Sequence, residues 1–465
     1  MRPKITLASR MRCEIGCKWP AIPSDMRLSI THSIYRYKGT YSWHDARVTD
    51  CMLWQFGVAA VYVFLFVSLY FQVFMLVSFI EVRRRPRIAL PRPHTDDDDL
   101  PTVAIIVPCF NEELTVGATI ESLQALDYPA DKLEIIVVDD GSKDGTLLTA
   151  QGYESDPRVR VFHKENGGKH TAMNFALEHT QAAFIGCLDA DSTVAPKALR
   201  HIVPLFQNEK VAAVTPGILI KKPETMLQHM QHAEYSLSVF NRFTLAALGS
   251  AFITPGPFSI FRTTAIREQG GWRHGHSTED LEMALRIQQK GYLIANAPAA
   301  TVHTGTPKSV RALIRQRVRW TYGFLRNAVD YRHMFGTGNY GNLGVIILPM
   351  ALASIFIAIF FFIRIIYFFV QELIRYFVRY QILGFNLNAP SFDAFYFNTS
   401  TMWFLIYVAV SLVVVLIALG AGLGTGKRRV PGGTPLFVLF YSFLVPVWLT
   451  MAVIRAVFKT GVKWR

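Results

Sequence analysis

Two acidic pairs in this chain have spacings that could support chemistry. Asp189 and Asp191 follow the apolar residues 184–188, which have the pattern of a buried strand. The small Ala190 between them permits a turn that would let these two carboxylates share a ligand. Paired carboxylates are hard oxygen ligands that suit Mg²⁺ or Mn²⁺ bridged to a diphosphate. The alternative, two solvated turn aspartates, is less favoured because the pair directly follows a strand.

The second acidic pair, Glu279 and Asp280, ends the motif STED and precedes a predicted helix over residues 281–290. Ser277 and Thr278 could cap that helix, and acidic residues favour a helix N-terminus in any case. Taken alone, this motif is compatible with either a helix cap or a reactive carboxylate.

The elements that must position these groups alternate between strand and helix. Apolar, β-branched runs predict strands at residues 103–107, 133–138, 159–163 and 184–188, with helices at 114–126, 144–152 and 170–179. This alternation predicts an α/β domain with a parallel, doubly wound sheet, and beyond residue 195 the pattern turns mixed. Ligands of such sheets bind beyond the carboxyl ends of the strands, where Asp189 and the motif VVDDGS both lie.

Three further loops follow predicted strands. VVDDGS contains Asp139 and Asp140 before a glycine that allows a close turn. PCFNEE contains Pro108, Asn111 and Glu112, of which the last two are predicted to open the next helix. In NGGKHTAMN, Lys169 stands where a flexible glycine pair meets a helix start. Each loop alone is also compatible with an ordinary helix cap.

An amphipathic helix is predicted over residues 310–325, with apolar positions at 310, 313, 314, 318, 324 and 325 among several arginines. It leads into an apolar run, so we place it at the membrane surface. Its motif QRVRW contains Gln316, Arg319 and Trp320; the alternative is a simple interfacial tryptophan on such a helix.

The apolar residues gather into long runs that indicate membrane spans, at about 53–80, 343–370, 401–423 and 436–454. We count four spans, although residues 343–383 are long enough to contain a hairpin, which would make five. Arginines after the first run and basic residues 427–429 predict a cytoplasmic central domain in a multi-pass inner-membrane protein. The basic residues 1–50 then lie on the unexpected side, which either a start at Met26 or Met52 or an undetected fifth span would explain.

The formal net charge of +14 is explained mainly by membrane topology. Some basic residues could also contact anionic lipids or a nucleotide-sugar diphosphate. Nucleic-acid binding has little support, because the basic residues are not interleaved with a binding fold. The five cysteines show no spacing that predicts a disulfide or a zinc site.

Five motifs in fixed order, namely PCFNEE, VVDDGS, LDADS, STED and QRVRW, lie between apolar runs. Together they resemble the inverting family 2 glycosyltransferases of the membrane-bound, processive kind, which include the cellulose, chitin, hyaluronan and poly-N-acetylglucosamine synthases. The resemblance covers residues 101 to about 331. It implies a cytoplasmic nucleotide-diphospho-sugar transferase (GT-A type) domain with flanking transmembrane helices, a UDP-sugar donor and Mg²⁺ or Mn²⁺.

The resemblance also implies a role for each motif. Asp280 corresponds to the base that deprotonates the acceptor, with Thr278 and Glu279 beside it. Asp189 and Asp191 are the implied metal ligands. Arg319 would neutralise the departing diphosphate, and Trp320 would stack on the acceptor sugar beside Gln316. The nucleotide pocket is assigned to Pro108, Asn111, Glu112, Lys169 and one of two aspartates, Asp140 in preference to Asp139.

The predicted domains are a basic segment (1–50), a first transmembrane helix (51–82), a linker (83–100), the transferase domain (101–308), interfacial helices (309–340) and a membrane region (341–465). The turn PGPFS at residues 255–259 and the segment His274–Gly275–His276 depart from the family pattern. Both histidines are expected to be loop residues rather than metal ligands.

We expect the chain to elongate a β-linked polysaccharide from a UDP-sugar, first of all UDP-N-acetylglucosamine and then UDP-glucose, and to export it through its own spans. Expected partners are the growing polysaccharide or a lipid acceptor, membrane lipids and accessory secretion subunits, but no nucleic acid. The alternatives are a single sugar transfer to a lipid, or an inactive scaffold of a secretion complex.

Overall fold

The computed structural model describes residues 43–84, 97–383, 400–427 and 429–460, with side chains from residue 57 onward. It divides into a unit of residues 1–60 and a unit of residues 61–465, and the features discussed below belong to the second, apart from the first part of the helix Trp43–Arg84. The predictions for residues 1–42 and for most of the linker lie outside the described residues.

One sheet forms the centre of the larger unit. Its strands are β1 (Val103–Cys109), β2 (Leu133–Asp139), β3 (Val159–His163), β4 (Phe184–Cys187), β5 (Thr193–Val194), β6 (Val211–Ile220), β7 (Ser259–Arg262) and β8 (Leu293–Thr304). Their spatial order is β3-β2-β1-β4-β7-β6-β8-β5. The order reverses beside β1, so the carboxyl ends of β1, β2 and β4 surround one crevice.

The parallel sheet predicted for the first four strands is confirmed, and the pattern beyond residue 195 is mixed, as expected. The pairs β1–β2, β2–β3 and β1–β4 are parallel, whereas β7 runs antiparallel to both β4 and β6. The absence of a side chain at Gly186 leaves space for β7 beside β4. A Cβ on Gly186 would collide with Ile260 Cδ1 of β7. Beyond it, β8 runs parallel to β6 and antiparallel to β5, so the complete sheet is mixed.

The helices pack on both faces of the sheet and continue into the apolar region. They are α1 (Trp43–Arg84), α2 (Val116–Gln124), α3 (Thr146–Gln151), α4 (Lys169–Glu178), α5 (Ala198–Ile202), α6 (Met226–Ala247), α7 (Thr263–Glu268), α8 (Glu279–Gln289), α9 (Val310–Asp330), α10 (Leu348–Leu383), α11 (Thr401–Thr425), α12 (Thr434–Leu436) and α13 (Ser442–Val457). Successive strand residues point to opposite faces, so Ile105 belongs to one core and Ile106 to the other. Both are fully buried, and each such side chain contributes about 1.5–3 kcal/mol.

Four helical stretches are long and apolar enough to cross a membrane: Gly57–Arg84, Leu343–Ile382, Thr401–Thr425 and Thr434–Val457. The second is one continuous stretch of 40 residues, a π-helical turn followed by α10, so the hairpin that would have given five spans is not present there. In the described part of the chain the count is therefore four.

Helices α6 and α9 connect the sheet domain to these apolar helices. On α9, Leu313 and Val318 pack in one cluster with Trp448 and Leu449 of α13. Helix α6 lies so close to α11 that a Cβ on Gly420 would collide with the carbonyl oxygen of Ser236. The predicted amphipathic helix is confirmed as a helix, and it extends to Asp330.

Candidate active site

Asp189 and Asp191 lie in the loop between β4 and β5, at the carboxyl edge of the sheet. Asp189 Oδ1 accepts a hydrogen bond of 2.5 Å from Lys169 Nζ, and Asp191 Oδ1 accepts one of 3.0 Å from Ser192 Oγ. Ser192 is itself fixed by Thr304 of β8, at 3.0 Å. Burial and then the neighbouring Asp189 raise the pKa of Asp191 to about 6.

This pair fits a divalent cation. The carboxyl group of Asp191 resists ionisation beside Asp189. A nearby divalent cation would stabilise the ionised form of both carboxylates. Among the described residues, no group of three or more His, Cys, Asp and Glu side chains is arranged to hold a metal ion. The remaining ligands would therefore come from diphosphate oxygens and water, as Mg²⁺ ordinarily requires.

The STED loop provides the N-cap position of the next helix, as the cap interpretation expects, but the Thr278 hydroxyl does not act as a cap. Helix α8 begins at Glu279 with Thr278 at the N-cap, but the Thr278 side chain caps no backbone N–H. Thr278 Oγ1 instead donates to the carbonyl of Gly275 at 2.9 Å and accepts from Asn327 Nδ2 of α9 at 3.0 Å.

Helix α9 stabilises a strained backbone conformation in the loop that contains the STED motif. His276 and Ser277 have φ values of 55° and 67°, a region that non-glycine residues rarely occupy. Arg319 Nη1 donates to the carbonyl of Ser277 at 3.1 Å, and Asn327 Nδ2 donates to the carbonyl of Gly275 at 3.0 Å. Strain of this kind persists only where the surroundings enforce it, and here the QRVRW helix does so.

Asp280 has the environment of a general base. Burial, followed by the charge of Glu279, raises the pKa of Asp280 to about 6, although Lys169 and Arg319 oppose the shift. A carboxylate with a raised pKa is a stronger base, and at neutral pH it remains largely ionised.

Lys169, the first residue of α4, joins the two acidic pairs. Its Nζ atom lies 2.5 Å from Asp189 Oδ1 and 3.9 Å from Glu279 Oε1. Burial lowers the pKa of Lys169, but Asp189 and then Cys187 and Glu279 raise it well above its ordinary value, so the side chain is a cation. A cavity beside it is lined by Lys169, Gly256 and Asp280 among others.

The unfamiliar PGPFS turn forms one wall of this cavity. A Cβ on Gly256 would lie 2.6 Å from Lys169 Nζ and 3.0 Å from Asp189 Oδ2. Only a glycine lets the turn approach the charged pair so closely. The departure from the family pattern therefore occurs next to the candidate metal ligands.

Asp140 and Asp139 both have protein partners. Asp140 accepts from Lys164 Nζ at 2.7 Å and from the backbone N–H groups of Gly167 and Gly168 at 3.0 and 2.8 Å. Asp139 Oδ2 lies 2.7 Å from His163 Nδ1. Asp140 thus fixes the loop that presents Lys169, and the choice of the uracil-binding aspartate stays a prediction.

The PCFNEE loop differs from its prediction. Helix α2 begins at Val116 rather than at Asn111 or Glu112. Asn111 has a φ of 56°, which interrupts a helical run, and its Oδ1 accepts from the backbone N–H of Lys143 at 2.8 Å. Pro108 remains inside β1, which pairs with β2. The PCFNEE and VVDDGS motifs therefore lie side by side at the crevice.

The QRVRW residues lie on helix α9, which packs against the apolar helix α13. Gln316 Oε1 is buried without a hydrogen-bond partner, and Trp320 is 37% exposed. His276, half-buried, pairs with Asp330 at 2.7 Å, whereas His274 is exposed.

Sequence reasoning missed several residues that shape the site, namely Lys164, His163, Gly323 and Asn327, and it noted Gly256 only as part of the PGPFS turn. Gly323 is the clearest, because a Cβ there would lie 2.2 Å from Thr278 Oγ1. A glycine inside a strongly periodic helix signals close packing, and that signal was available.

The mixed α/β sheet, the acidic loop after β4 and the STED loop together define a glycosyltransferase of GT-A type. Residues 101–323 match the family described as "Glycosyltransferase like family 2", the family that the motifs predict.

Named relatives agree with this class. The chain is 30% identical over 235 residues to a poly-beta-1,6-N-acetyl-D-glucosamine synthase of Staphylococcus aureus (strain COL), a match that covers 50% of this chain and 57% of the relative. The chain thus spans little more than half the length of that relative. A synthase of the same name from Staphylococcus epidermidis is 26% identical over 403 residues, covering 86% of this chain and 93% of the relative.

A solved structure shares the fold. A mannosyltransferase from Pyrobaculum calidifontis, in complex with GDP-Man and Mn²⁺, superposes with a TM-score of 0.55 at 18% identity. The superposition covers 87% of this chain and 97% of the other, so the arrangement of sheet and flanking helices is common to both.

Proposed function

We propose that this chain is an inverting glycosyltransferase that uses a UDP-sugar to lengthen a β-linked polysaccharide at a membrane. UDP-N-acetylglucosamine is the first choice of donor, since two relatives are named as poly-N-acetylglucosamine synthases. The observation that carries the proposal is the position of Lys169, which brings the LDADS and STED carboxylates into one charged cluster.

The donor would lie in the crevice at the carboxyl ends of β1, β2 and β4. Its nucleotide would contact Pro108, Asn111, Glu112 and one of Asp139 and Asp140. Lys169 would contact the diphosphate, a role suited to a fixed cation at a helix start. Asp189 and Asp191 would hold Mg²⁺ or Mn²⁺, which when bound neutralises charge on the diphosphate.

Asp280 would take the proton of the acceptor hydroxyl group while the oxygen of that hydroxyl attacks the anomeric carbon of the donor sugar. The bond between that carbon and the diphosphate breaks with inversion, and UDP leaves with the electron pair. Protonated Asp280 then returns its proton to solvent. Thr278 and Glu279 support this step, the first by anchoring the loop and the second by raising the pKa of Asp280.

Arg319 would stabilise the negative charge that develops on the departing diphosphate, since a guanidinium suits phosphate oxygens. Trp320 would stack on the acceptor sugar. The unpartnered Gln316 Oε1 would accept a hydrogen bond from a hydroxyl group of that sugar. The four candidate spans would place this domain on the cytoplasmic side of the inner membrane and provide a route for export. Membrane lipids and accessory secretion subunits would be its further partners.

The test is UDP release by the full chain in nanodiscs, with a panel of UDP-sugars and Mg²⁺ or Mn²⁺, followed by sizing and enzymatic digestion of the product. A long polymer from one sugar supports the proposal and identifies the donor. A lipid carrying one sugar would contradict polysaccharide elongation, and no release from any donor would contradict catalysis by this chain alone.

A further inference from the structure

One carboxylate oxygen joins three elements beside the QRVRW motif. Glu234 Oε2 of α6 accepts a hydrogen bond of 2.7 Å from Arg317 Nη2 of α9. The same oxygen accepts a second one of 2.7 Å from Tyr441 Oη, in the π-helical turn Phe437–Tyr441 of the last candidate span. The sheet domain, the QRVRW helix and an apolar helix thus meet at a single acid.

Glu234 is the counter-charge of the buried Arg317 guanidinium. Burial lowers the pKa of the guanidinium, yet Glu234 opposite it, together with Tyr441, holds that pKa above its ordinary value. The side chain of Arg317 is 7% exposed and that of Glu234 is 25% exposed. Removing one partner of such a pair would leave the other charge poorly solvated. Because separating the two groups has the same cost, the ion pair keeps the Arg317 side chain in one position.

Arg317 in turn fixes Trp320. Its Cζ atom lies 4.3 Å from the centre of the Trp320 ring, which is the geometry of a cation–π contact. The two residues are three apart on α9 and therefore lie on one side of the helix. The indole remains 37% exposed, so the guanidinium restrains the ring without closing it off.

We infer that Glu234, Arg317 and Tyr441 act as a positioning unit that holds the indole of Trp320 in the orientation needed for an acceptor sugar. This inference rests on the proposed function, in which Trp320 stacks on the acceptor. None of the three residues contacts the reacting atoms. Because Tyr441 lies in the last candidate span, the unit also ties acceptor binding to the membrane region.

The test compares Glu234→Gln, Tyr441→Phe and Arg317→Lys in the full chain in nanodiscs. The acceptor probe is a β-linked N-acetylglucosamine oligosaccharide. We expect Glu234→Gln to raise the acceptor KM about tenfold, the order of effect that a desolvated cation–π contact can produce. The donor KM should stay within about twofold, and products should become shorter. Glu224→Gln is the matched control, because Glu224 pairs with Lys308 at 2.7 Å on the exposed surface.

A double variant separates positioning from general stability. If Glu234 acts through Trp320, Glu234→Gln adds no further increase in acceptor KM when Trp320 is already alanine. An additive increase, or an unchanged acceptor KM in Glu234→Gln, would overturn the inference.

A second measurement does not depend on activity. Acrylamide quenching of tryptophan emission is compared with and without Trp320→Phe, which isolates the contribution of Trp320. We expect Glu234→Gln to increase quenching of that contribution, whereas Glu224→Gln leaves it unchanged. An unchanged Trp320 contribution in Glu234→Gln would overturn the inference even if the chain proves to transfer sugar to another acceptor.

Discussion

The Nζ atom of Lys169 lies 2.5 Å from Oδ1 of Asp189. The lysine thereby occupies space beside a candidate metal ligand, and the N–H groups of Gly167 and Gly168, bound by Asp140, hold the loop that presents it. A donor diphosphate with its cation would enter between these two charges. We therefore expect donor binding to exchange the Lys169–Asp189 contact for contacts to the diphosphate.

Replacing Lys169 by methionine removes this cation and keeps most of the apolar volume. We expect kcat with the UDP-sugar to fall about 100-fold, the usual effect of losing one fixed group that stabilises developing charge. Steady-state UDP release measures it. Lys210→Met changes an exposed lysine and is the control; equal rates for the two variants would contradict a role for Lys169.

The pH dependence should reflect Asp280, whose pKa burial and Glu279 raise to about 6. The carboxylate must be ionised to accept a proton, so kcat/KM should fall as the pH drops through about 6 and level off above about 7. Well below the pKa, the loss approaches tenfold per pH unit. The measurement is a pH profile at saturating metal ion; a flat profile between pH 5 and 7 would exclude Asp280 as the titrating base.

Gly323→Ala tests whether helix α9 positions the STED loop. The new Cβ would lie 2.2 Å from Thr278 Oγ1, so either the loop or the helix must shift. We expect a loss of about 1–3 kcal/mol in stability, as for other overpacked sites, and a fall of at least about tenfold in kcat. Gly338→Ala is the control because nothing lies within 4 Å of a Cβ there. Activity equal to that of the control would show that the contact is dispensable.

Asp140→Asn weakens the loop anchor without changing its size. The variant loses the charge opposite Lys164 Nζ, which lies 2.7 Å away. Hydrogen bonds to charged groups contribute about 1.5–3 kcal/mol, so the Kd for UDP should rise by at least about tenfold while the protein stays folded. Calorimetric titration with UDP gives this value; an unchanged Kd would remove Asp140 from both the anchor and the nucleotide pocket.

The features that could be predicted from sequence are those with local causes. Strands β1, β2 and β4 consist mainly of apolar residues, and a motif lies at the carboxyl end of each. The arrangement of β5 to β8 was not predictable, because β7 inserts beside β4 through a contact between distant residues, Gly186 and Ile260. The start of α2 was missed because the left-handed Asn111 is held by Lys143, a residue far along the chain.

The same distinction holds for the site. The acidic residues and QRVRW are visible as short motifs with a chemical reason for each residue type. The groups that hold them in place, Asn327 for Thr278 and Glu234 for Arg317, belong to other elements and carry no motif. Positioning of this kind is determined by tertiary packing, so it required the structure.

The central claim is that Asp280 is the base in sugar transfer. The most direct measurement is turnover of UDP-N-acetylglucosamine by Asp280→Asn, with UDP binding to the same protein measured in parallel. We predict a loss of about 10³-fold in turnover, the range that a general base supplies, with the Kd for UDP changed by no more than about threefold. Turnover within about tenfold of the unsubstituted enzyme would contradict the assignment of Asp280 and the mechanism built on it.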